Sequence, residues 1–180
     1  MKTNIFLLAV LFLVSCQTTK NTQQETEPLT QKEAKKSVQI YGYNFLIPES
    51  YIKIIDDVKA EDLKGNIRSR ETAYEDPSKK ATIHIILRPA PYGKTTYDYY
   101  LKLSYEKKAV LTEISGIQAI RFVENIKTDG KGHPLSNPII REKYFILNSD
   151  QSCLEIDLNR YQNDMISAKM FKQFIKYIQR

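Results

Sequence analysis

Apolar positions come first as a solid block, then vanish, then return in short periods. Residues 5–14 are an unbroken apolar run of about 10 residues, too short for a membrane span that needs roughly 20. Residues 17–36 hold a single Leu and no apolar period, so they cannot bury enough surface to offset their ordering entropy. From Ser37 the pattern is β-like. Val38-Gln39-Ile40-Tyr41 and Asn44-Phe45-Leu46-Ile47, around Gly42, predict a hairpin or bent strand stopped by Pro48. A short run at 51–55 meets an acidic stop at Asp56-Asp57, and 59–66 is ambiguous, with a helical turn as one reading. Residues 67–74 read as a strand with one polar face. Asp76-Pro77-Ser78-Lys79-Lys80 is a turn signal. The clearest strand is 82–88, where Ile83, Ile85 and Leu87 alternate with His84, Ile86 and Arg88 before Pro89 and Pro91 end it.

The period then changes. Thr95 or Thr96 can cap a helix with Asp98 in its first turn. That places Tyr97, Tyr100, Leu101, Ser104 and Tyr105 on one face, with an end near Lys107-Lys108. Two strands follow, 109–114 and 118–126, joined at Ser115-Gly116. A polar loop covers 127–134. A second hairpin pairs 139–147 with 153–158 across Asn148-Ser149-Asp150. The last element is an amphipathic helix from about Asn163, with Phe171, Phe174, Ile175 and Ile178 at i, i+3, i+4 and i+7. Many strands on short turns with two helices predict an α+β domain: an antiparallel β-sheet with helices packed on it.

Lys2 precedes the apolar leader, and Leu13-Val14-Ser15-Cys16 closes it. A basic start, a short apolar run and a small residue before the cut describe a signal peptide. The closing tetrad resembles the bacterial lipobox, in which cleavage falls just before a lipidated Cys. That resemblance implies a signal peptide over 1–15 and lipid (palmitate among its chains) on Cys16; the polar stretch then predicts a flexible tether over 16–36, and the period of the rest one α+β domain over 37–180. It also implies a protein of the bacterial cell envelope, lipid-anchored to a membrane and facing the extracytoplasmic side. A plain signal peptide or short anchor with an incidental Cys is the alternative. A flexible tether of this length spans about 25 Å root-mean-square.

The formal charge is +6. From Ser37 onward, 22 Lys+Arg face 18 Asp+Glu, and the excess forms no single run. So diffuse a charge, on an exported chain, argues against nucleic acid. With Cys16 acylated, Cys153 has no partner in the chain; its place in Cys153-Leu154-Glu155-Ile156-Asp157-Leu158 reads as a buried strand position, with an intermolecular disulfide or a reactive thiol as the alternative.

Candidate chemistry is sparse. His84 and His133 are the two histidines, one in a strand and one in a loop, and no His or Cys pair has metal-ligand spacing. Gly130-Lys131-Gly132 lacks the flanking strand and helix of a phosphate cradle. The pairs Asp56-Asp57, Glu61-Asp62 and Glu155/Asp157 supply too few oxygens for a calcium loop. No cofactor is expected. Two surfaces stand out. Tyr92, Tyr97, Tyr99, Tyr100 and Tyr105 cluster around the first helix, where the first reading is core packing and the second a docking or ligand surface, since Tyr suits interfaces. Lys169, Lys172 and Lys176 stripe the last helix at i, i+3 and i+7, with Arg180 beyond; the first reading is a solvated back face opposite Phe171 and Phe174, and the second an approach to anionic lipid headgroups. The candidate partner surface is therefore Tyr92, Tyr99, Lys169, Lys172 and Lys176.

Three stretches carry a second resemblance. They are Phe45-Leu46-Ile47-Pro48-Glu49-Ser50-Tyr51, Ile114-Ser115-Gly116-Ile117-Gln118-Ala119-Ile120-Arg121-Phe122, and the last helix with Phe171 and Phe174. Together they resemble the PsbP-like α/β/α sandwich superfamily over most of 38–180, with Tyr51 where many members carry Trp. The resemblance implies a fold used elsewhere for docking onto larger assemblies, and no reaction. The expected function is a non-enzymatic, membrane-anchored lipoprotein that binds a protein partner or supports an envelope assembly. The alternatives are a small-ligand carrier using a groove between sheet and helices, and a hydrolase with scattered catalytic groups. A buried cluster of ionisable residues would favour the hydrolase, an apolar pocket the carrier, and an exposed Tyr-rich patch the binding module.

Overall fold

A computed structural model describes residues 34–180; the expected signal peptide over 1–15, Cys16 and the expected tether over 17–33 lie outside the described residues. The strands are β1 (Lys35–Ile40), β2 (Tyr43–Pro48), β3 (Ile52–Glu61), β4 (Ile67–Glu75), β5 (Ala81–Arg88), β6 (Ala109–Ile114), β7 (Ile117–Thr128), β8 (Pro134–Leu147) and β9 (Cys153–Tyr161). The helices are α1 (Tyr92–Tyr105), between β5 and β6, and α2 (Met165–Lys176) after β9. Seven strands form one antiparallel sheet in the order β3-β4-β5-β9-β8-β7-β6, and β1-β2 is a separate hairpin. The fold class is as expected: an antiparallel sheet between two helical layers.

Each face of the sheet has its own core. On one side Tyr74, Ile83, Ile85, Tyr144, Ile146, Leu154, Ile156 and Leu158 pack with Phe45 and Ile47 of the hairpin and with Phe171 and Phe174 of α2. Phe45 and Phe174 stack at 5.7 Å between ring centres. On the other side a smaller cluster joins Tyr97 of α1 to Ile120, Phe145 and Cys153, with Tyr100, Leu101, Leu103, Phe122 and Leu147 packed around it.

Several boundaries differ from the sequence reading, for local reasons. β1 runs from Lys35, two residues before Ser37, because Lys35 already pairs with Pro48 across the hairpin. Asp56-Asp57 do not stop β3. Asp57 takes a positive φ of 51° at an irregularity and ion-pairs with Arg70 of β4, so the strand runs on to Glu61. Neither Thr95 nor Thr96 caps α1. The helix starts one turn earlier, after Pro91, and Asp98 is in its second turn beside Lys94. Pro fits a helix's first turn because its missing N–H would have no partner there. Tyr105 lies exposed where α1 ends, and Leu103 takes an inward place instead. The last helix stops at Lys176, yet Ile178 beyond it is fully buried, and Gln179 forms a bridge with Asn44 of β2. Its N-cap is Asp164, whose carboxylate accepts from the Ser167 N–H at 3.0 Å.

Candidate functional site

Register assembles the site, because directly paired residues on neighbouring strands share a face. Val58, Glu71, Ile86, Glu155, Phe145 and Ile120 form one row across β3, β4, β5, β9, β8 and β7. The next row holds Ile55, Ala73, His84, Asp157, Lys143 and Phe122. At the β7–β8 end α1 roofs these rows. Tyr100 stacks on Phe145 at 3.7 Å between centres and meets Phe122 edge-on at 5.4 Å. Gly93 lets the helix start close to the sheet. A Cβ there would lie 2.4 Å from the Cys153 backbone nitrogen and 2.5 Å from the Arg88 carbonyl oxygen. Among the described residues, α1 packs on β5 to β9, and only its first turn, through Tyr92, reaches the β3–β4 end.

Where the roof stops, an open cleft of about 410 Å³ is lined by Arg88, Thr95, Thr96, Tyr99, Tyr100, Lys143 and Glu155. Glu155 is buried at 1% exposure. Its carboxylate accepts from Arg88 Nε at 2.8 Å and from Lys143 Nζ at 2.7 Å. Lys143 also reaches Asp157 at 3.3 Å, and Arg141 Nε lies 3.8 Å from the other Asp157 oxygen, which has no hydrogen bond among the described residues. Burial alone would raise the Glu155 carboxyl, but Arg88 and then Lys143 hold it below its ordinary value. Burial alone would lower the Lys143 ammonium, but Glu155 and Asp157 hold it above its ordinary value. The cluster is thus charged and internally paired. His84 Nδ1 lies 2.6 Å from Glu71, and among the described residues no Ser, Thr or Cys hydrogen-bonds to His84. Cys153 is sealed beneath α1, where burial, reinforced by Glu155, pushes its thiol up to about 12. It is a core residue, as the strand pattern suggests.

The five predicted surface residues do not gather in one place. Tyr99 is 59% exposed and lines the cleft. Tyr92 sits at a second cleft of about 570 Å³, beside the β3–β4 turn with Leu63 and Asn66. Its hydroxyl donates to Asp62 at 2.6 Å. Lys169, Lys172 and Lys176 are exposed on α2, across the sheet from both. His133 is an exposed loop residue 3.1 Å from Asp129. The sequence reading missed the Arg88–Glu155–Lys143 triad. Its one sequence signal is a charge at an inward strand position, Glu155, between buried neighbours.

The sequence matches no protein-family model and no curated protein. Solved structures do share its architecture. A protein of Bacteroides thetaiotaomicron VPI-5482 aligns with a TM-score of 0.51 at 15% identity over 76% of this chain and 44% of that one. This chain therefore spans less than half of that protein's length. The Saccharomyces cerevisiae Ran-binding protein Mog1p aligns with a TM-score of 0.50 at 11% identity, covering 82% of this chain and 95% of its own. Cyanobacterial PsbP (CyanoP) from Synechocystis sp. PCC 6803 aligns with a TM-score of 0.51 at 10% identity, covering 82% and 92%. At such identities the likeness is one of fold, and the fold is the PsbP-like α/β/α sandwich.

Proposed function

We propose that this chain is a bacterial lipoprotein, acylated on Cys16, whose domain binds a protein partner on the extracytoplasmic side of an envelope membrane. The observation that carries the binding reading is the half-roofed sheet face. On the α1 side of the sheet, Tyr99 is exposed on the helix, the paired charges line the open cleft beside it, and Val58 of β3 is exposed. Large amphipathic Tyr surfaces beside polar groups are the composition that interfaces favour. The leader pattern ending in Cys16 supports the anchor. The name of Mog1p as a Ran-binding protein supports the reading only by analogy of fold.

A non-enzymatic role fits the electrostatics. An ionisable cluster lies in the cleft, as a hydrolase would require, but Glu155 neutralises Arg88 and Lys143 rather than a reacting group. The nearest thiol, Cys153, is both buried and held protonated. The cleft is open and floored by three paired charges, Arg88, Lys143 and Glu155, unlike the enclosed pockets that bury most of a small ligand.

Photo-cross-linking residues placed at Tyr99 and at Val58 in the native host should capture the same protein, and one placed at Lys172 should not. Radiolabelled fatty acid should enter the wild-type chain and not Cys16→Ser. If Tyr99 and Val58 positions capture nothing while the chain is labelled and membrane-bound, the binding reading fails. If Cys16→Ser is labelled like wild type, the lipoprotein reading fails.

A further inference from the structure

The charge that looks diffuse in the sequence is gathered in one layer of the fold. Residues 34–180 hold 24 Lys+Arg and 18 Asp+Glu. The β1–β2 segment 35–48 and the α2 segment 165–180 contain Lys35, Lys36, Lys169, Lys172, Lys176 and Arg180 and no acidic residue. Segment 49–164 has 18 of each sign. The whole net charge of the domain therefore sits in the hairpin-and-α2 layer.

Position along α2 concentrates it further. At 3.6 residues per turn, Met165, Lys169, Lys172 and Lys176 fall within about 60° of arc. The buried Phe171 and Phe174 lie on the opposite side. Met165 and Ile166 are 72% and 82% exposed at the start of the helix. A basic stripe with apolar side chains beside it suits the boundary between headgroups and acyl chains.

The chain also enters the domain here. Lys35 opens β1, its Nζ donates to Gln173 of α2 at 2.8 Å, and it lies 5.6 Å from the Tyr177 ring centre. From Cys16 to Lys35 the chain can reach at most about 65 Å, at 3.3–3.6 Å per residue. We infer that the α2–β1 layer is the face this domain turns toward its own membrane, where Lys35, Lys169, Lys172, Lys176 and Arg180 meet anionic lipid headgroups. The inference rests on Cys16 being the lipid anchor. An acidic protein would see the same charges, but the anchor keeps the bilayer always within reach of this layer. The half-roofed face, across the sheet, is then presented away from the bilayer.

The acylated full chain, reconstituted in vesicles, tests this. Nitroxide labels go on Gln173→Cys and, separately, on Tyr99→Cys; buried Cys153 does not compete for label. With phosphatidylglycerol mixed into phosphatidylcholine and a nickel-chelating lipid as relaxant, the label at 173 should broaden strongly and the label at 99 weakly. The contrast should vanish in pure phosphatidylcholine, and at about 1 M salt, where the Debye length is about 3 Å. Changing Lys169, Lys172 and Lys176 together to Gln in Cys16→Ser chain should weaken association with anionic vesicles about 100-fold. Equal broadening at both labels, or broadening indifferent to phosphatidylglycerol, overturns the inference. So does a triple variant that keeps its vesicle binding but loses a cross-linked acidic protein. Should Cys16 carry no fatty acid, the anchor reading fails by its own assay, and vesicle association of the Cys16→Ser chain still reports on the face.

Discussion

On the α2 side of the sheet, Ile83, Ile85, Ile156 and Leu158 point into a closed apolar layer, and every charge of α2 is on the far surface. On the α1 side, the same strands present His84, Glu155 and Asp157 at the alternate positions, and a helix covers part of the face. β5 and β9 thus carry two opposite programmes in one period-2 pattern. The apolar alternation supplies stability, since burial scales with area removed from water. The polar alternation supplies a surface that must be paired internally, because an isolated buried charge is costly.

The comparison breaks most visibly at Phe174. It is 1% exposed and stacked on Phe45, so Phe174→Ala should cost about 3–5 kcal/mol. A domain's whole stability is about 5–15 kcal/mol, so urea unfolding should show a large fall in midpoint. A wild-type midpoint would mean that α2 is not part of the closed layer, and the contrast between faces would collapse.

Glu155→Gln tests the other face with a smaller effect. It removes a carboxylate that accepts charge-assisted hydrogen bonds from two cations, which should cost about 2 kcal/mol at pH 7. The pH dependence has a definite sign. Folding lowers the Glu155 pKa, so its contribution is complete above the unfolded value of about 4.3 and is lost as pH falls through the lower folded value. The stability gap between wild type and Glu155→Gln should therefore be full at pH 7 and close below about pH 4. A gap that widens on acidification would show that Glu155 is not held ionised by Arg88 and Lys143.

The two programmes were not equally readable from the sequence. Alternation identifies β5, β6–β7 and β8–β9, and the turn residues Ser115-Gly116, both at positive φ, mark their hairpin as predicted. The amphipathic period identifies α2. By contrast, β3 is hidden because Asp56-Asp57 reads as a loop until Arg70 is known to lie across from it. The start of α1 is hidden because the hydroxyls of Thr95 and Thr96 mimic a cap, although Thr95 only bonds back to the Pro91 carbonyl at 3.1 Å. The Arg88–Glu155–Lys143 triad spans three strands, so only register reveals it. The charge excess is countable in the sequence, but its confinement to one layer depends on α2 and the β1–β2 hairpin packing together.

The smallest expected effect is the sharpest test of the division of labour. Tyr99 and Lys172 are both exposed, on opposite faces, and neither belongs to a buried cluster. Tyr99→Ala and Lys172→Gln should each move stability by less than about 0.5 kcal/mol, as surface substitutions do. Their consequences should then diverge. Tyr99→Ala should weaken capture of the partner from a cross-linker at Val58 and leave vesicle association unchanged. Lys172→Gln should weaken association with anionic vesicles and leave capture at Val58 unchanged. If either variant impairs both readouts at undiminished stability, the two faces act as one surface, and assigning partner and membrane to opposite sides of the sheet is wrong.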